Sequence, residues 1–270
     1  MLKLIQTEFL KLHRRKFILL MLLAALLMPF LAIFYFSGFR EAGVDTIQFY
    51  KWTAFSYTPW VILPVVLGVF STMLMYDEHQ NDMLKQLWII PISKAEYFFS
   101  KFIIVLSYSI CFMLLTAGLS VLFGMLPGYI TFEWGSFCYL LKKCMEIAIL
   151  TAFAIMPLLA VAAAGKSYIF PVCVTLVYTF LGFILLMVNM YLHPLSSMSA
   201  IVMRDIPGVV LAQTLNIPAA LICITIWCAG SVVLAILALG KIGDCETGLV
   251  FDVQKRQTPD FVGDKQESRW

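Results

Sequence analysis

Charge is scarce in this sequence. Asp, Glu, Lys and Arg make up only 13% of its 270 residues, while hydrophobic residues make up 61% and mean hydropathy is +0.91. An ordinary globular domain carries about 25% charge. A soluble fold of this size cannot cover so much apolar surface with so few charges, and the same numbers exclude disorder. Neither sign dominates. Nineteen Lys and Arg against 16 Asp and Glu give a net charge of +3, too little for a basic nucleic-acid-binding domain. Motifs that carry chemistry are also missing. The seven cysteines form no CxxC pair, which argues against a zinc ribbon or a disulfide framework and for small buried hydrophobes. There is no Gly-x-x-x-x-Gly-Lys-Ser/Thr loop and no His-Glu-x-x-His, so neither P-loop ATP binding nor a metalloprotease zinc is expected. Gly165-Lys166-Ser167 reads as a tight turn. His13, His79 and His193 have no partners at metal-ligand spacing, and no metal site is expected.

What the chain does have is long apolar runs. A hydrocarbon core ~30 Å thick needs ~20 apolar residues per helix. Six stretches qualify: Phe17–Phe36, about Tyr57–Tyr76, about Phe98–Met125 with Lys101 near its start, about Cys144–Ala164, about Tyr168–Leu192 and about Ile217–Leu239. The expected fold is all-α and polytopic, with a 1–16 interfacial helix, a 17–240 six-span domain and a 241–270 tail. Continuous runs instead of ~10-residue alternating segments argue against an outer-membrane barrel. Pro29, Pro59, Pro64 and Pro157 fall within the spans and predict kinks or helix starts, and Pro171 falls in the first turn of the fifth. With the N-terminus inside, 14 of the 19 Lys and Arg lie on the inner side, so the positive-inside rule puts both termini in the cytoplasm.

Met1, Leu2, Ile5, Phe9 and Leu12 share one helical face, and Lys3, Thr7, Lys11 and Arg14 the opposite one. Such a helix lies in the membrane interface with its basic face toward anionic lipid; a basic tail obeying the positive-inside rule is the simpler alternative. The inner loop over residues 77–97 is the most informative segment. Met83, Leu84, Leu87 and Trp88 recur at helical spacing, and Pro91 ends that helix near Ile90. Ser93 and Glu96 form a capping box that starts the third span. A short amphipathic helix of this kind either docks into a groove on a cytoplasmic partner or only returns the chain to the membrane; the pattern alone leaves both open. The tail from Lys241 mixes both charges and is expected to be mobile or ordered by a partner.

On the outer side, Leu126–Tyr139 has a Pro127-Gly128 turn and the aromatics Tyr129, Phe132, Trp134 and Phe137, which read as an interfacial belt. His193–Asn216 is too polar to span and dips into, or lies on, the outer leaflet. Glu146 is the one acidic residue expected at the edge of a span, with Lys142 and Lys143 four and three residues before it. This trio is either a structural ion pair or a polar intramembrane site.

Glu78-His79-Gln80-Asn81, Lys85-Gln86-Leu87, Pro91-Ile92-Ser93-Lys94 and Lys101, with the opening Thr7-Glu8-Phe9-Leu10-Lys11-Leu12, resemble the transmembrane subunit of ABC-2 type ABC transporters. Among these the chain is similar to permeases of bacitracin resistance and lantibiotic immunity. The resemblance implies a non-catalytic permease of the bacterial cell membrane that binds no cofactor itself. ATP and Mg would be bound by two copies of a separate ABC ATPase. The permease would pair with a second copy or a related permease, and its cargo would be an amphiphilic antimicrobial peptide. It also implies that Glu78, Asp82, Met83, Leu84, Lys85, Leu87, Trp88, Pro91 and Ser93 receive the motion of the ATPase. Export of an ion, a peptide toxin or a lipid-like molecule, and a sensing or scaffolding role without transport, stay open.

Overall fold

The computed structural model describes residues 6–7, 9–10, 16–38, 45–80, 93–165, 167–206 and 216–257. Among these the regular structure is helical, with no strand. Six helices are long and apolar enough to cross a membrane: α1 (Ile18–Gly38), α2 (Thr46–Glu78), α3 (Lys94–Met125), α4 (Trp134–Ala164), α5 (Ile169–Val188) and, after the short α6 (Pro194–Met203), the Ile217–Gly240 part of α7. The expected all-α polytopic architecture is the observed one. Gln6, Thr7, Phe9 and Leu10 are helical and exposed, and the rest of the proposed interfacial stripe lies outside the described residues.

Two spans begin well before their hydropathy does. Gln48, Lys51 and Thr53 depress the average in the first turns of α2, and Lys142 and Lys143 do so ahead of Cys144 in α4. Yet Phe49, Tyr50, Thr53, Ala54 and Phe55 are all buried. At its other limit α5 stops at Val188, because Asn189 leaves the helical region. The backbone of α7 continues without a break through Gln257, so residue 240 marks a change of composition and not the end of a helix.

The prolines act where expected. Pro29 cannot donate to the carbonyl of Ala25, and the chain tightens into a 3-10 turn over Leu23–Leu26 just before it. In α2 two π-helical segments, Lys51–Phe55 and Thr58–Ile62, flank a break at Ser56, and Leu63 N–H bonds five residues back to Thr58. Hydroxyls collect carbonyls in this stretch: Ser56 Oγ donates to Lys51 O at 2.8 Å and Thr53 Oγ1 to Phe49 O at 3.2 Å. Pro157 breaks α4 at Ile155, freeing the carbonyl of Ala154 and leaving that of Phe153 with the Ile155 N–H in place of the missing one at Pro157. Neighbouring helices donate to both. Tyr178 Oη of α5 donates to Ala154 O at 2.5 Å, and Cys228 Sγ of α7 to Phe153 O at 3.4 Å.

In lipid, helices associate through close packing and hydrogen bonds, because burying apolar surface gains nothing against acyl chains. Gly68 brings α2 onto α5 so closely that a Cβ there would lie 2.3 Å from Thr175 Cγ2. Gly182 does the same for α5 and α6, with Leu195 Cβ at 2.8 Å. Ser109 Oγ of α3 donates to Ala148 O of α4 at 2.8 Å. Every residue of α6 is buried, wedged among α4, α5 and α7. Leu19, Leu23 and Phe30 of α1, Phe180 and Met187 of α5, and Ile226 and Leu234 of α7 remain exposed, as lipid-facing side chains would be.

Candidate functional site

Six crossings leave two groups of connections at opposite ends of the bundle. At one end the Tyr76 and Tyr168 rings lie 5.5 Å apart, and a Cβ on Gly240 would lie 3.5 Å from Lys94 Nζ. This end carries the 81–92 connection, and a charge cluster sits just inside it. Glu78 stands near the end of α2, which runs on to Gln80. Tyr97 and Lys101 stand on one face of α3, a helical turn apart. Lys101 Nζ pairs with Glu78 Oε1, Tyr97 Oη donates to Glu78 Oε2, and the ammonium lies 5.3 Å from the centre of the Tyr97 ring. Tyr97 Oη is also 3.7 Å from Met75 Sδ, one turn further into α2. Lys101 is 0% exposed, Tyr97 2% and Glu78 7%.

Of the coupling residues expected from the sequence, only Glu78 and Ser93 fall among the described ones. Asp82, Met83, Leu84, Lys85, Leu87, Trp88 and Pro91 lie outside them. Ser93 is the N-cap of α3, its hydroxyl accepting from Glu96 N–H at 3.1 Å. Glu78 is turned into the bundle against α3. Its pairing with Lys101 was missed, although the signal was present in two opposite charges at the same ends of adjacent spans.

At the other end, Lys143 of α4 is buried and fully engaged. Its ammonium donates to Glu146 Oε2 at 2.8 Å, Asp205 Oδ2 at 3.2 Å and Val202 O at 3.3 Å. Tyr139 Oη donates to Asp205 O at 2.8 Å, and Arg204 Nε reaches both Asp205 oxygens at 3.1 Å. The structure thus brings together Lys143 and Glu146, leaves Lys142 exposed, and adds Asp205. The cluster ties α4 to the C-terminal end of α6. Partial desolvation raises the Asp205 pKa, but hydrogen bonds from Lys143 and Arg204, with their charges, outweigh it and hold the carboxyl below its ordinary value. At the start of α6, His193 Nδ1 accepts from Leu195 N–H at 3.3 Å, and burial pushes the imidazole down to about 4. A ring acting as this acceptor must be neutral.

The aromatics of the 126–139 stretch divide. Phe132, Trp134 and Phe137 cluster with centroids 5.6 to 5.7 Å apart, and Trp134 is 69% exposed, as befits a membrane-interface belt. Tyr129 instead packs on Phe36 and Phe49. It is carried there by the turn at Gly128 (φ 76°), after which the Tyr129 and Ile130 N–H groups return to Gly124 O. Between α1 and α2 lies an apolar groove of about 390 Å³ lined by Met28, Leu31 and Tyr35 on one side and Trp52, Tyr57 and Val61 on the other. The Tyr35 and Trp52 rings stack across it at 4.5 Å. Its α2 wall is the π-helical stretch, where the altered winding sets the spacing of Trp52, Tyr57 and Val61. Among the described residues, no group of three or more His, Cys, Asp or Glu could hold a metal.

Comparison with curated proteins gives no match. A family model described as ABC-2 family transporter protein matches residues 4–182, which run from the N-terminal segment into α5 and include the Glu78–Tyr97–Lys101 cluster. With about two thirds of the sequence inside that match, this chain belongs to the ABC-2 family of transporter proteins.

Proposed function

We propose that this membrane permease works with a separate ABC ATPase to expel amphiphilic antimicrobial peptides of the lantibiotic or bacitracin type. The α1–α2 groove is the observation that carries this cargo class. Its lining is almost wholly apolar, with the amphipathic rings of Tyr35, Trp52 and Tyr57 among it. Such a wall suits a molecule with an apolar tail and a polar head, and it suits an ion or a sugar poorly. A lipid-like cargo fits the same wall and is the second reading. In this proposal two ATPases serve a pair of permeases, identical or related, and the 81–92 segment is the surface they push. The Lys and Arg bias supports a cytoplasmic position for that segment and both termini.

Co-expression with the cognate ATPase is expected to raise bacterial tolerance to nisin or bacitracin, and a hydrolysis-dead ATPase to abolish the gain. Unchanged tolerance across a peptide panel, with the complex assembled, would remove the peptide reading and move attention to lipid-like cargo. Orientation has its own test. In intact cells, with the native cysteines removed because Cys138 is itself exposed, an impermeant maleimide should label a cysteine placed at exposed Gly135, at the start of α4, and spare one at Gln80. The reverse pattern would invert the topology.

A further inference from the structure

The charge cluster beside the 81–92 connection does something that stability alone does not explain. Burying an ion pair costs desolvation that its Coulomb attraction only roughly repays, so neutral side chains of similar volume at these positions would be about as stable. What the pair confers is a single geometry. The two carboxylate oxygens of Glu78 take different partners on α3, Lys101 and Tyr97, which fixes both the distance between the helices and the rotation of the carboxylate. Met75 and Glu78, three residues apart on α2, thus face Tyr97 and Lys101, four apart on α3. The join lies within the last two turns of α2 and the first two turns of α3. These are the two stalks from which the 81–92 segment hangs.

From this reading of the segment as the ATPase-facing surface, on which the inference rests, we infer that Glu78, Tyr97 and Lys101 form a clasp. They are positioning residues that make the ends of α2 and α3 one lever. Without the clasp, a push on the connection splays its two stalks, and the displacement is spent locally. With it, both helices move together, and the onward contacts are already in place. Tyr108 of α3 stacks on Phe70 of α2 at 4.3 Å and donates to Ile18 O of α1 at 3.3 Å, while Ser109 bonds to α4. The clasp end is thereby wired to α1 and α4, whose other limits are Gly38 and Trp134.

The test uses the assembled permease–ATPase complex and needs no cargo. Spectroscopic labels, introduced as unnatural amino acids, go at Gly38 and Gly135, where a side chain meets open space. The distance between them is followed on addition of ATP. The native complex should show an ATP-driven change. The neutral pair Glu78→Gln/Lys101→Met should insert, bind the ATPase and hydrolyse ATP, yet show the shifted distance in a population reduced about tenfold, the scale of a typical coupling between sites. Glu78→Asp/Lys101→Arg keeps opposite charges at similar combined length and should retain the change. A full response in the neutral pair, or the same loss in both pairs, would overturn the clasp. So would a neutral pair that fails to fold, which would make the cluster a stability element. If the native complex itself neither assembles nor hydrolyses ATP, the ATPase-facing reading fails and takes the clasp with it.

Discussion

Glu78→Ala is expected to cost about 3–5 kcal/mol of stability, because it removes one partner of a buried ion pair. Lys101 is 0% exposed, so water cannot readily take the place of Glu78. The neutral pair Glu78→Gln/Lys101→Met removes both charges and should stay within about 1 kcal/mol of the native protein. Loss of helicity on heating or on titration with a denaturing detergent measures both variants. Equal stability of Glu78→Ala and the native chain would show that the Glu78–Lys101 pair does not hold the fold, and this expectation would fall. This expectation differs from the one the sequence suggests. A glutamate opening an amphipathic loop reads as a charge that orients a helix start, and its removal then threatens docking but not folding. Burial against α3 moves the effect to stability.

The second large effect concerns the loop itself. Trp88→Ala should weaken binding of the ATPase by about 2 kcal/mol, or roughly thirty-fold, as truncated aromatic anchors do at interfaces. The reason is local. Met83, Leu84, Leu87 and Trp88 recur at helical spacing in the sequence, and Trp88 is the largest of the four. Insertion and thermal stability should not change, which separates this variant from Glu78→Ala. Lys255→Ala, in the tail, serves as the control for a charged residue outside the loop. Titration of the detergent-solubilised permease with the ATPase reads all three. Should Trp88→Ala bind as well as Lys255→Ala, the 81–92 segment only returns the chain to the membrane.

Six crossings were legible because continuous apolar runs of this length have one common explanation. The early starts of α2 and α4 were not. Hydropathy counts Lys51, Thr53, Lys142 and Lys143 as water-seeking, but in the folded chain Thr53 bonds its own backbone and Lys143 is neutralised by Glu146 and Asp205. The i,i+3 spacing of Lys143 and Glu146 exposed that pairing, whereas Asp205 reaches it only through the placement of α6, which no local pattern encodes. The Ser93 cap was readable because capping is local chemistry. Glu78 and Lys101 were each visible, but their meeting depends on α2 and α3 packing in register. The burial of all of α6 was equally hidden. Ser196, Ser197 and Ser199 make it look too polar for the interior, yet each hydroxyl turns back to a nearby carbonyl.

The break in α4 also bears on how the protein is made. Ala154 emerges from the ribosome with a carbonyl that the break at Pro157 keeps its own helix from satisfying, and Phe153 with one that its helix meets only through Ile155 N–H. Their partners, Tyr178 and Cys228, are synthesised later, on α5 and α7. An unpaired carbonyl in hydrocarbon costs several kcal/mol. The first four spans on their own therefore make an incomplete membrane domain. The middle of α4 completes its hydrogen bonding in stages, with α5 supplying the first donor and α7 the second. The order of synthesis thus leaves the Ala154 carbonyl waiting for α5 to close a gap opened in the fourth span.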